Sequence, residues 1–147
     1  MQDRKSHHRD GGWEVFAHGT DIGVRGFGET RAVAFEETAY ALTSAMTDPA
    51  NVRQADEIDI VCSAPNDELL LREWLNAVIG EMTKRDMLFS RFSVQIHEHG
   101  LTGRAWGEAV EEDRHTPAVA IRSATETELS VARDTEGCWV AQCVLDV

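Results

Sequence analysis

The chain has 147 residues, 42% of them hydrophobic and 27% charged, which suits one folded domain of about 100–150 residues. Twenty-six acidic residues against 14 basic ones leave a net charge of -12. Nucleic-acid binding draws on Lys and Arg that displace counterions from phosphates. The charge balance therefore argues against direct contact with RNA or an anionic membrane, and for cations or a positively charged protein surface as partners.

Residues Met1 to Gly12 are polar, carry the pair His7-His8 and close on Gly-Gly, and read as a tail outside the fold. The domain proper runs over 13–147. Trp13 to Phe16 and Ile22 to Phe27 read as strands flanking the loop Ala17-His18-Gly19-Thr20-Asp21. Thr30 is placed to cap a helix that reaches about Met46, with Phe35, Ala39, Leu42 and Met46 on one apolar face. Pro49 stops that helix and turns Asp48 away from helical geometry.

Glu57 to Cys62 alternates as a strand with Ile58, Ile60 and Cys62 on one side. Asn66 can cap a second helix whose stripe is Leu70, Trp74, Val78 and Met82, widened by Leu71 and Leu75. Lys84 and Arg85 close it, complementing the helix dipole. Phe92, Val94 and Ile96 alternate in a strand, Glu98-His99-Gly100 turns the chain, and Leu101 to Glu108 returns it. Val110 to Pro117 reads as an exposed charged loop containing His115, and His97 and His99 also read as exposed. Strands at about Ala118–Arg122, Glu128–Ala132 and Cys138–Val144 complete the chain. Two helices among short strands give an α+β fold, a single domain with helices packed on mostly antiparallel sheet.

Three cysteines, Cys62, Cys138 and Cys143, form no CxxC pair. An odd separation in a strand points Cys138 and Cys143 to opposite faces, against a shared metal or disulfide. All three read as core hydrophobes in a reducing, cytoplasmic protein. No apolar run is long enough to span a bilayer.

Three places could hold chemistry. In His18-Gly19-Thr20-Asp21 a histidine and an aspartate bracket a glycine and a hydroxyl, although the same residues make an ordinary turn. At the C-terminus, Asp146 stands beside the carboxylate of Val147. Two such anions repel unless a cation or donors hold them, or unless both are solvated at a sheet end. Asp48, at the exit of the first helix, can simply close its own turn. Taken together these carboxylates describe a hard-cation site for Ca²⁺, Mg²⁺ or Mn²⁺, with an imidazole shifting preference towards Mn²⁺ or Zn²⁺. There is no GxSxG elbow, P-loop or HExxH helix. Gly23, Gly26 and Gly28 lie within or at the end of a strand and make no phosphate loop. The four tryptophans, Trp13, Trp74, Trp106 and Trp139, read as core.

These residues together resemble the archease family. The family's opening signature is echoed by His18-Gly19-Thr20-Asp21-Ile22-Gly23-Val24, followed by Gly26-Phe27-Gly28-Glu29-Thr30, Ala34-Phe35-Glu36 and Met46-Thr47-Asp48. Leu71-x-x-Trp74-Leu75-Asn76, Leu88-Phe89-Ser90-x-Phe92 and the terminal Val144-Leu145-Asp146-Val147 continue the match in order. Two departures stand out. The family usually has Ala before its first aspartate, where this chain has Thr20, and its late Lys-Ala-hydrophobic-Thr-Tyr-His run is replaced by Arg122-Ser123-Ala124-Thr125-Glu126-Thr127. That segment is left outside the expected site.

The resemblance implies an archease fold with an inserted strand-helix-strand-strand module. It also implies a non-catalytic role: activating an RtcB-type RNA ligase by promoting guanylylation of the ligase histidine and multiple turnover in tRNA splicing and RNA repair. A divalent metal ion, calcium first and magnesium, manganese or zinc after it, would be held by Asp21, Asp48 and Asp146, with Val147 beside them. A stand-alone metal-dependent hydrolase or nucleotide-processing enzyme, and a chaperone-like binding module, are the competing readings of the same carboxylates. The apolar C-terminal strand could also support weak self-association.

Overall fold

The computed structural model describes residues 4–5, 12–98, 100–117 and 119–147. His7, His8, His99 and Ala118 lie outside the described residues. In chain order the elements are β1 (Arg4–Lys5), β2 (Gly12–His18), β3 (Asp21–Gly28), α1 (Arg31–Met46), a 3-10 turn (Pro49–Asn51) and β4 (Asp56–Ser63). There follow α2 (Asp67–Arg85), β5 (Met87–His97), β6 (Gly100–Ala109), α3 (Glu112–His115), β7 (Ser123–Ala124), β8 (Ser130–Arg133) and β9 (Trp139–Asp146). The expected tail is thus partly structured: Gly12 opens β2, and Arg4–Lys5 pairs with Glu14 and Val15.

Two antiparallel sheets carry these strands. One has the order β1-β2-β3-β9-β7, with β8 also paired to β9; the other has the order β4-β6-β5. The second sheet and α2 form a strand-helix-strand-strand insertion, β4-α2-β5-β6, between α1 and the last strands. This is the α+β architecture the sequence implies. No described helix is long and apolar enough to cross a membrane.

Both long helices begin where capping chemistry places them. Thr30 accepts a hydrogen bond from the Val33 N–H, and Asn66 accepts one from the Leu69 N–H. The α2 stripe is buried as expected, from Leu70 to Met82. The α1 face is wider than its periodicity suggests: Ala34, Phe35, Thr38, Ala39, Ala41, Leu42 and Thr43 are all buried. The reason is that α1 packs against β3 on one side and β5 on the other, so it needs more than one apolar stripe. The Thr43 hydroxyl donates to the Phe89 carbonyl at 2.7 Å, tying α1 to β5. Trp74 is fully buried, and its indole N–H donates to the Phe35 carbonyl at 3.1 Å, locking α2 onto α1.

Two expectations in the later half of the chain fail. The stretch Val110–Pro117 is not simply an exposed loop: residues Glu112–His115 form α3, and His115 is only 1% exposed. Its charged neighbours hide that burial from a composition reading. Residues 119–122 are not a strand, because β9, the strand β7 pairs with, ends at Asp146, opposite Ser123. The Arg122 N–H still donates to the Asp146 carbonyl at 2.8 Å, but the ladder does not continue through residues 119–121. The neighbouring β8 also starts late, at Ser130, after Glu128 adopts a left-handed φ of 54°.

Candidate metal and docking site

β2 and β3 are joined by Gly19-Thr20 alone, with Gly19 at φ +60°, a conformation glycine adopts without steric cost. The expected five-residue loop therefore shrinks to a two-residue turn, and His18 pairs directly with Asp21. β3 pairs with β9 through Ile22↔Leu145, and one further step of that register sets Asp21 opposite Asp146. Ser123 of β7 pairs with Asp146 from the other side. His18, Asp21, Asp146 and Ser123 thus occupy one rung across four strands, where directly opposed residues share a face.

Contacts around that rung are sparse. The Val147 N–H donates to Asp21 Oδ1 over a long 3.4 Å, and the Arg122 N–H donates to the Asp146 carbonyl at 2.8 Å. His18 Nε2 lies 3.8 Å from Glu128 Oε2. Opposed like charges destabilise a sheet unless something offsets them, and among the described residues neither Asp21 nor Asp146 forms an ion pair with Lys or Arg. Two facing carboxylates that are half-buried suit a hard divalent cation that keeps part of its water shell.

Asp48 stands apart. Its Oδ1 accepts the Ala50 N–H at 3.0 Å, capping the 3-10 turn, which is the turn-closing role its local sequence suggests. It lines a recess with Trp13, Tyr40 and Thr116. Among the described residues no three His, Cys, Asp or Glu side chains converge to hold a metal ion. The structure thus brings together Asp21, Asp146 and Val147 but does not add Asp48 to them. Conversely, the set-aside segment beginning at Arg122 lies directly against Asp146, a proximity that only the β7–β9 register reveals.

Close to the Asp48 recess, Glu108 gathers a buried polar network. Its carboxylate accepts from Arg114 at 2.6 Å, from His115 Nε2 at 3.0 Å and from the Arg53 N–H at 2.8 Å. His115 Nδ1 accepts the Glu111 N–H at 2.8 Å, so its proton sits on Nε2. The His115 carbonyl accepts the Thr47 hydroxyl, which fixes α3 against the exit of α1. Burial pushes the Glu108 pKa up, but the hydrogen bonds from Arg53 and His115 and the charge of Arg114 reverse this and hold it below its usual value.

The cysteines behave as core residues. Burial, with a smaller push from Glu73, raises Cys62 to about 11. Burial raises Cys143 to about 11 despite its hydrogen bond to Thr125. Both stay protonated at neutral pH and make poor nucleophiles.

Comparison with known proteins identifies the family of this fold. Residues 13–147 match the model of the Archease protein family (MTH1598/TM1083). Protein archease of Pyrococcus furiosus is 31% identical over 139 residues, covering 92% of this chain and 98% of the relative. Protein archease of Sulfurisphaera tokodaii is 32% identical over 121 residues, covering 81% of this chain and 87% of the relative. The solution structure of Methanobacterium thermoautotrophicum protein 1598 superposes with a TM-score of 0.80 at 28% identity, covering 92% of this chain and 98% of that one. With residues 13–147 matched by the family model and the fold shared, the chain belongs to the archease family.

Proposed function

We propose that this protein is a non-catalytic activator of an RtcB-type RNA ligase, promoting guanylylation of the ligase histidine and repeated turnover in tRNA splicing and RNA repair. Family membership supports the role, and the observation that carries the site is the Asp21–Asp146 rung. A net charge of -12 suits docking on a ligase whose RNA groove must be basic.

In this reading Asp21 and Asp146, with the Val147 backbone alongside, hold a divalent cation, calcium before magnesium, manganese or zinc. When bound, the cation would offset their mutual repulsion and present positive charge where nucleotide phosphates gather. Asp21 and Asp146 orient and hold. Asp48 adds negative charge to the docking surface from its own recess. The free cysteines accord with a reducing cytoplasm.

The test is guanylylation of the cognate ligase with GTP, followed as covalent label on the ligase. Wild-type protein should raise the labelled fraction, while Asp21→Ala and Asp146→Ala should not, with unchanged far-UV circular dichroism. Normal activation by both variants would remove the acidic rung from the mechanism. Nucleotide consumption by this protein alone would instead favour the stand-alone hydrolase.

A further inference from the structure

The recess beside Asp48 has a chemistry of its own. It encloses about 530 Å³ and is lined by Trp13, Tyr40, Met46, Asp48, Asn51 and Thr116 among others. Trp13 and Tyr40 form a tilted aromatic pair, with centroids 5.7 Å apart and ring planes at 54°. Asp48 is exposed, and its position is set by the Ala50 N–H on Oδ1, which leaves Oδ2 available to a visitor. Glu37 stands one helical turn before Tyr40. Burial first, then the charges of Asp48 and Glu37, raises the Tyr40 hydroxyl pKa, so both carboxylates act on this recess. Neither Asp48 nor Glu37 forms an ion pair among the described residues.

Aromatic faces attract cations through their quadrupole, and a carboxylate beside them adds direct charge pairing. Of the two cationic side chains, guanidinium fits better, because it is planar, stacks on aromatic rings and forks onto a carboxylate. We propose that this recess receives the guanidinium of an arginine presented by a partner protein, stacked on Trp13 and Tyr40 and paired with Asp48. The identity of the partner rests on the ligase-activator reading above; the chemistry of the recess does not.

The test titrates the full chain with N-acetyl-arginine amide and follows the Trp13 indole resonance by NMR, assigned with Trp13→Phe. Arginine amide should shift the resonance saturably, and the neutral isostere N-acetyl-citrulline amide should not. Asp48→Asn keeps the amide oxygen for the Ala50 N–H but removes the charge, and should weaken binding about tenfold. Tyr40→Phe keeps the ring and should bind within about twofold of wild type. The proposal is overturned by no arginine response, by an equal response to citrulline amide, by an equal response to lysine amide, or by unchanged affinity in Asp48→Asn. An arginine response without any effect on the ligase would contradict the activator reading alone. Ligase activation without an arginine response would contradict the recess alone.

Discussion

Glu108 illustrates how a single side chain can serve the fold from inside a charged stretch. It is nearly buried and accepts three hydrogen bonds, from Arg114, His115 and the Arg53 backbone. Replacing it with Ala leaves His115 Nε2 without its acceptor and Arg114 with Glu111 alone, and should cost about 3 kcal/mol in urea unfolding. Its depressed pKa also sets a sign. The stabilisation is present above the ordinary value of 4.5 and is lost as pH falls through the lower folded value. Glu108→Gln should therefore flatten the acid side of the stability profile, measured by denaturant titration between about pH 3 and 6. Glu36 and Glu37 work in the opposite direction. Burial raises both, with Glu36 adding repulsion on Glu37, so their contribution is fully present below 4.5 and is lost as pH rises through their folded values. None of this is written in local sequence. Glu108 and His115 look like members of a solvated charge run until α3 folds back over the exit of α1.

Glycine at two positions separates packing from propensity. A Cβ on Gly26 of β3 would run into the Ala34 carbonyl and the Thr38 backbone nitrogen, so α1 can lie this close only on glycine. Gly26→Ala should destabilise by about 2 kcal/mol as the helix is pushed away. Gly80 is helical and exposed in α2, with nothing within 4 Å of a Cβ, so Gly80→Ala should stabilise by about 0.5–1 kcal/mol. Thermal melting of the two variants reads both signs. The elements most readable from sequence were those whose signals are local, such as the Thr30 and Asn66 caps and the α2 stripe. Helix α1 was readable in extent but not in breadth, since its second buried face answers to β5, more than 40 residues later in the chain. Strand β7 lies past the expected Ala118–Arg122 and β8 begins two residues late, because their limits depend on where β9 begins and ends. The rung of Asp21 and Asp146 is non-local in the same way. Either residue alone passes for a turn or a strand end, and only the β3–β9 register sets them opposite each other. Asp48 shows the opposite case, since its local role as a turn cap holds while its place beside Tyr40 and Trp13 has no sequence signature.

For the molecule as a whole, a net charge of -12 favours association with a basic surface, which the proposed activator role calls for. Association with the proposed ligase partner should then be fast at low ionic strength and slow as salt rises from about 0.05 to 0.5 M, because screening shortens the reach of the field. Stopped-flow association rates check this, and a rate independent of salt would mean that charge does not guide docking. Multiple-turnover RNA ligation by the proposed RtcB-type ligase partner, with this protein present or absent, tests the activator role most directly. An activator gives more ligations per ligase molecule when it is present, none on its own, and no gain as Asp21→Ala or Asp146→Ala. Equal turnover with and without wild-type protein, at concentrations where the two proteins bind, would contradict that role.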